Sequence, residues 1–353
     1  METGLATISS ISIGLIGAGF MGQLAHLVNY DRLDGCRVVA IAEPRDRLRE
    51  RVATRYEIEE TYHDHTALCA GANVDAIVAP QPYDRHGVVV PDLLETGVPI
   101  FTEKPIAVKP ETGEALAAAA ERQGIPYMIG YHKPSDPAVE HAADVIASWR
   151  SSGSYGALRY IRITMPPGDW IANAPAPITT DESPPPAETE PMPEGYGSNA
   201  RTRYNHIINY YIHQLNAFRL LLAESYEIQY ATERLVCIES ESGIEGVLEL
   251  APYETEHDWH ESMLVGFDHA AIRIQLPPPL GRQRSGAVTI TRSEDGTQTV
   301  TQPVFPAEWA MFRQARHFLS VVRGERDPPC GPHEAVADLR AAQRYIQLLP
   351  GEQ

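Results

Sequence analysis

An apolar run, Ile11 to Ile16, leads directly into Gly17-Ala18-Gly19-Phe20-Met21-Gly22, and a helical stretch from Met21 to Tyr30 leaves it. A strand that must turn into a helix through three glycines at this spacing leaves the chain few folds to choose from. The glycines allow a tight turn and close backbone approach, and the free N–H groups of the helix start favour an anion. Glu43 lies 21 residues past Gly22, at the end of the next apolar run, Arg37 to Ala42. A carboxylate there would accept hydrogen bonds from ribose hydroxyls. The whole pattern predicts a dinucleotide-binding unit in which Gly17, Gly19, Phe20, Met21 and Gly22 cradle the pyrophosphate. Glu43 would repel a 2′-phosphate and so favours NAD. Arg45 keeps NADP open, because a guanidinium can pair with that phosphate; an exposed residue at a helix start is its other reading.

Strand and helix patterns then alternate. Helical spacing over Arg45 to Tyr56 precedes an apolar run at Asp75 to Ala79, a helix near Val88 to Thr96 and a strand at Val98 to Thr102. A helix over Glu111 to Gln123 and a strand over Pro126 to Gly130 follow. Such alternation implies a parallel, doubly wound sheet of Rossmann type. Residues 1–130 are therefore expected to form a nucleotide-binding domain and residues 131–353 a second, α+β domain for substrate binding and oligomerisation.

In that second part Leu158 to Met165, Ile228 to Cys237, Gly246 to Leu250, Met263 to Phe267, Ala271 to Gln275 and Ala287 to Thr291 read as strands. No long helices separate most of them, as in an open, mostly antiparallel sheet. One helix, Tyr204 to Ala223, has Ile208, Tyr211, Leu215 and Leu222 spaced for a buried face. Residues 166–197, rich in Pro, Glu and Asp, read as a long loop, either a solvated insertion or a lid over the substrate.

Composition narrows the function. A chain of 353 residues can bury a large core, and 43% hydrophobic with 22% charged residues is a soluble globular balance. No apolar run approaches a membrane span, and Met1 to Ser12 lacks the regions of a signal peptide, so a cytoplasmic location is expected. A net charge of −18 argues against nucleic acid and anionic membrane as partners. Cys36, Cys69, Cys237 and Cys330 form no paired motif, so reduced thiols are expected and neither a disulfide framework nor zinc.

Of 29 basic residues only Lys104, Lys109 and Lys133 are lysines. Lys104, in Glu103-Lys104-Pro105 at a strand end, therefore suggests a compact charge on a tunable amine. On the helix, His206, Asn209, His213 and Asn216 share one face at 3.6-residue periodicity. The stripe is polar yet free of Lys, Glu and Asp, which suits a lined cleft, although a solvent face is the ordinary reading. Two histidines without a carboxylate or thiolate argue against a metal. Lys133, Arg201, Arg203 and Tyr204 are either a local basic pocket, suited to a carboxylated or phosphorylated sugar, or scattered surface charge. Gln81-Pro82-Tyr83 follows the apolar run Asp75 to Ala79 and should lie at the cofactor crevice.

The Gly-rich turn, Gln81-Pro82-Tyr83-Asp84-Arg85-His86, Glu103-Lys104-Pro105 and the helical His213 resemble the glucose-fructose oxidoreductase / inositol dehydrogenase (Gfo/Idh/MocA) family. The resemblance runs from about residue 11 to the C-terminus and is looser over 165–205. It implies that Pro82 and His86 lie close to the nicotinamide ribose and that Glu103 and Lys104 border the cofactor. It further implies that Lys104 hydrogen-bonds the reacting oxygen and that His213 is the acid and base. Asn209 departs from the Asp often found in the family four residues before that His. A neutral amide can orient an imidazole but supplies no charge to hold an imidazolium.

The expected protein is an NAD-dependent dehydrogenase of a secondary hydroxyl on a sugar, glycoside or cyclitol, with Lys133, Tyr204, Tyr210, Asn209 and His213 toward the substrate. A homodimer or homotetramer is expected by fold analogy. Two alternatives stay open: a non-catalytic dinucleotide-binding regulator, and a reductase of an unsaturated or imine substrate.

Overall fold

The computed structural model describes residues 10–250, 253 and 258–349. Residues 1–9, part of the stretch read for a signal peptide, lie outside them. The first half contains strands β1 (Ile11–Ile16), β2 (Cys36–Ala42), β3 (Glu60–Tyr62), β4 (Ala76–Ala79), β5 (Ile100–Glu103) and β6 (Tyr127–Gly130). All pair in parallel, in the order β3-β2-β1-β4-β5-β6. Helices cover both faces of such a sheet, which is why β4 and β6 are buried at every position and read as unbroken apolar runs.

The connecting helices are α1 (Val28–Tyr30), which continues a π-helical segment Gly22–Leu27, then α2 (Asp46–Tyr56), α3 (His65–Gly71), α4 (His86–Leu94) and α5 (Pro110–Gln123). Helix α5 starts on Pro110 and stops at Gly124, whose φ of 67° lies in the left-handed region that glycine enters without strain. Strand order reverses between β1 and β4, and the loops after those strands open the crevice where ligands bind in such sheets.

Helix α6 (Pro137–Ser152), which the sequence reading lacks, leads into the second half; Asp136 caps it by accepting from the Ala138 N–H at 2.8 Å. Then come β7 (Leu158–Thr164), α7 (Ser198–His206), a π-helical segment Ile207–Tyr211 and α8 (Ile212–Leu222). Next are β8 (Tyr226–Ala231), β9 (Leu235–Ser240), β10 (Glu245–Glu249), β11 (Glu261–Phe267), β12 (Ala270–Leu276), β13 (Ala287–Glu294) and β14 (Thr297–Thr301). The expected single strand over Ile228 to Cys237 is instead the hairpin β8–β9, turned at residues 232–234. These strands form one sheet ordered β14-β13-β12-β11-β7-β10-β9-β8. Every pairing is antiparallel except β7 with β10.

The last helices, α9 (Ala310–Val322) and α10 (Pro332–Leu348), run back to the first half. On α9, Ala315, Phe318, Leu319 and Val321 join the core formed by Ile13, Leu15, Phe101 and Met128. Helix α10 packs between α5 and α8. Burying a side chain such as Phe101 or Phe318 is worth about 1.5–3 kcal/mol, so this return ties the halves firmly. Among the described residues no helix is long and apolar enough to cross a membrane.

Candidate active site

A cleft of about 560 Å³ opens where the strand order of the first sheet reverses. Gly19, Phe20 and Met21 enter it after β1, and Pro80, Gln81, Pro82 and Tyr83 after β4. Glu103 and Lys104 enter after β5, and His132 and Lys133 after β6. The facing wall comes from the second half, with Asn209, Tyr210 and His213 on the helix and Met165, Trp170 and Trp259 beside it.

The three glycines do different things. Gly17 has φ +108°, and a Cβ there would stand 2.6 Å from Nε2 of Gln81, whose amide donates to the Ile16 carbonyl at 2.8 Å. At Gly22 a Cβ would lie 2.2 Å from the Gly17 carbonyl oxygen, so the turn closes only without one. Gly19 has nothing within 4 Å of an added Cβ. That bare backbone at a helix start is the approach a pyrophosphate requires. The residues present thus fit a dinucleotide along this edge.

Glu43 is 2% exposed, and its carboxylate accepts from the Ala18 N–H at 3.0 Å. It also pairs with Arg45, at 2.7 Å from Nε and 3.1 Å from Nη2. Arg45 is therefore folded down on Glu43 and is neither an exposed helix-start residue nor a free phosphate ligand. His86 is buried behind the cleft, where Nδ1 donates to the Pro105 carbonyl at 2.9 Å. It does not line the cleft wall; it backs the turn that carries Lys104.

Glu103 lies 2.7 Å from Nε2 of His26. Burial pushes its carboxyl up, but the hydrogen bond and charge of His26, with Lys104 beside it, hold it below its ordinary range. Lys104 donates from Nζ to the backbone carbonyl of Asn209 at 2.5 Å and stands 3.5 Å from its Oδ1. Loss of solvation brings the Lys104 ammonium down to about 8 in spite of Glu103, and the charge of Lys133 adds to the fall. The result is a cation that can give up its proton near neutrality.

The His213 ring packs edge-on against His132, with centroids 4.8 Å apart, and against Tyr131 at 5.7 Å. Its Nδ1 is buried without a hydrogen-bond partner among the described residues. Burial, then His132, Lys104 and Lys133, drive its pKa well below the ordinary value, so the ring is neutral. His132 is lowered in the same way, by burial and then by the two lysines.

Lys133 is spent inside the protein: Nζ is 2.9 Å from Glu261, with side chains 3% and 1% exposed. Glu261 also accepts from Gln214 Nε2 at 2.7 Å and Trp259 Nε1 at 3.3 Å. Of the two readings of Lys133, Arg201, Arg203 and Tyr204, the local basic pocket does not form. Arg203 pairs with Glu233, Arg201 donates to the Tyr196 carbonyl, and the buried Tyr204 donates its hydroxyl to the Val108 carbonyl at 2.7 Å. Tyr204 fixes α7 to the first half and lines no part of the cleft.

The polar stripe also divides. Asn209 and His213 face the cleft, whereas His206 stacks on Tyr210 and borders a separate surface depression. Asn216 is buried, donating to Asp338 at 3.0 Å. The π-helical segment Ile207–Tyr211 breaks the 3.6-residue period across which the stripe was extrapolated. His132, Glu261, Trp170 and Trp259 were not singled out from sequence. Glu261 had a legible signal, because alternation with Met263, Val265 and Phe267 puts it on the core face of β11. No cluster of His, Cys, Asp and Glu suited to a metal occurs among the described residues.

A parallel sheet with a glycine cradle at its switch point, faced by a mostly antiparallel sheet and a helical histidine, is a Rossmann-type α/β architecture joined to an α+β half. Residues 11–131 match the family described as "Oxidoreductase family, NAD-binding Rossmann fold". The inositol 2-dehydrogenase of Rhizobium meliloti is 29% identical over 170 residues, covering 46% of this chain and 48% of that protein. The D-apiose dehydrogenase of Paraburkholderia graminis is 26% identical over 134 residues, 38% of this chain and 36% of its own. The chain thus matches less than half the length of these curated relatives. Among solved structures, a 3-ketoreductase from Actinomadura kijaniata in complex with NADP superposes with TM-score 0.71 at 17% identity, over 97% of this chain and 98% of that one. The apo scyllo-inositol dehydrogenase from Lactobacillus casei gives 0.70 at 14%, over 97% of each. Likeness at such identity is a likeness of fold.

Proposed function

We propose that this protein is an NAD-dependent dehydrogenase acting on a secondary hydroxyl of a sugar, glycoside or cyclitol. One observation carries the reading: a depressed lysine and a neutral histidine from different domains line a single cleft beside the glycine cradle. Gly17, Gly19, Phe20, Met21 and Gly22 would hold the pyrophosphate, Glu43 would meet the adenosine ribose, and Pro82 and Glu103 would border the nicotinamide end. When bound, the cofactor supplies the hydride acceptor.

The protein's own residues do the rest. His213, which lines the cleft, takes the hydroxyl proton on its imidazole, and the Lys104 ammonium stabilises the negative charge developing on that oxygen. Asn209 holds Lys104 in place through its carbonyl. Tyr210, Trp170 and Trp259 offer apolar faces with polar edges, suited to the C–H and hydroxyl surfaces of a sugar ring. Lys133 shapes this wall through Glu261, its charge already neutralised, and so favours a neutral ring over a carboxylated one.

The outer face of the second sheet is the proposed contact for a homodimer or homotetramer. Tyr230, Cys237, Val247, Arg162, Leu264 and Arg273 form one row across it by strand register. Light scattering on the purified protein reads the assembly state. The function is tested by NAD reduction, followed at the nicotinamide absorbance, over a panel of aldoses, inositols, uronates and glycosides; no turnover with any secondary alcohol would reject it.

A further inference from the structure

The loop over 166–197 is neither a free insertion nor a cover over the substrate alone; it is strapped along the nucleotide edge of the first sheet. Trp170 meets Phe20 edge-on, with ring centroids 5.8 Å apart. Farther on, the Gln23 amide clasps the Ile178 backbone, donating to its carbonyl at 2.9 Å and accepting its N–H at 2.8 Å. Arg51 donates to the Thr179 carbonyl at 2.7 Å. The strap then reaches α2, the helix after Glu43, and lays the Glu182 carboxylate across its start. There the carboxylate accepts from the Arg47 N–H at 3.1 Å and the Leu48 N–H at 3.0 Å, while the Thr180 hydroxyl donates to it at 2.9 Å.

The start of α2 is where a bound dinucleotide presents its adenosine ribose, since the acid after the second strand meets the 2′ and 3′ positions. A 2′-phosphate would seek cations and free N–H groups there. This chain has already taken them. Arg45 is doubly bonded to Glu43, the Arg47 guanidinium lies 2.6 Å from Asp181, and the helix N–H groups are held by Glu182. The Glu182 side chain is only 19% exposed, a seated group with three donors.

We infer that Glu182, delivered by the strap, is a cofactor-specificity residue that fills the anion position at the start of α2 and excludes the 2′-phosphate of NADP. The inference rests on the dinucleotide reading above and deepens it: selection against NADP comes from the second half of the chain as well as from Glu43.

Calorimetric titration of NAD and NADP into the full-length protein and its Glu182→Ala and Glu182→Gln variants tests it. The ratio of the NADP to the NAD dissociation constant should exceed one in the wild type and fall about tenfold in Glu182→Ala, as expected when a like charge beside a phosphate is removed. Glu182→Gln should also lower it. Glu190 anchors the strap elsewhere, accepting from Val108 and Lys109 N–H groups at 3.0 and 3.1 Å, and serves as the control. A ratio unmoved by both Glu182 variants, or moved equally by Glu190→Gln, overturns the assignment. Wild-type protein that binds neither nucleotide defeats the dinucleotide reading and this one with it. Protein that binds NAD yet oxidises no alcohol defeats only the dehydrogenase reading, because the binding ratio still decides the role of Glu182.

Discussion

Lys104 on the end of β5 reaches across the cleft and donates to the backbone carbonyl of Asn209, so the cation of one domain is held by the helix of the other. The contact places the ammonium between the two walls of the cleft. Lys104→Ala should lower turnover by about 10²-fold or more, the scale of a positioned electrostatic group, with NAD affinity changed far less. His213→Ala should do likewise. Steady-state kinetics beside NAD titration and melting temperatures check this; wild-type turnover in both variants would remove them from the chemistry.

The acidity of Lys104 sets a pH limit. His213, depressed by burial, is neutral from below the usual imidazole range upward, while Lys104 carries its charge only up to about pH 8. Alcohol oxidation should therefore be level through neutrality and fall as pH rises through about 8. Lys104→Arg, which keeps its charge, should remove that fall from whatever activity survives. A profile rising steadily past pH 9, roughly a unit beyond that limit, would contradict the assignment.

Asn209→Asp would place a carboxylate where Oδ1 now lies 3.5 Å from Nζ of Lys104. An adjacent anion favours the charged amine, so the alkaline limb should move upward. Any effect on His213 would have the same sign and bring an acidic limb into view. An unmoved profile at both ends would show that the amide only holds its helix in place.

Gly19 and Gly22 separate binding from folding. Gly19→Ala meets open space and should leave the melting temperature near that of the wild type while weakening NAD binding at least several-fold. Gly22→Ala meets the Gly17 carbonyl and should destabilise the turn itself. Thermal melts and NAD titration on the two variants distinguish these outcomes.

The Lys133–Glu261 pair is buried on both sides, so removing one partner strands the other. Glu261→Ala should cost about 3–5 kcal/mol in chemical denaturation. Replacing both with Met should cost less than that single change, and a double variant as unstable as Glu261→Ala would show that the loss comes from Gln214 and Trp259 instead.

Much of this was readable from sequence wherever local chemistry decides structure. The glycine turn, the carboxylate after the second strand and the alternation through Gly130 led to the observed parallel sheet, because each is set by backbone geometry within a few residues. The reading weakened where long-range partners decide. The sequence leaves Arg45 open to a phosphate, where the structure folds it onto Glu43, and it reads Lys133 toward the substrate because its partner Glu261 is 128 residues away. His206 and Asn216 were grouped with His213 by a period that a π-helical turn interrupts. Helix α6 has a local signal, an Asp136-Pro137 start, but the strand pattern beyond it dominates the sequence there. The course of the strap depended on Gln23, Arg47 and Arg51, and no local pattern in its Pro-rich sequence indicates those partners.

Helix α9 has a bearing on how this protein is inherited. Its Ala315, Phe318, Leu319 and Val321 complete the apolar layer under β1, β5 and β6, so the first 130 residues are not a cassette that can be cut out and joined to another partner. A gene fragment ending after β6 would keep Leu27, Leu48 and Val52 on that face but lose the α9 residues that cover Phe101 and Met128. Recombination that exchanges the second sheet must therefore replace an internal piece and keep both flanks.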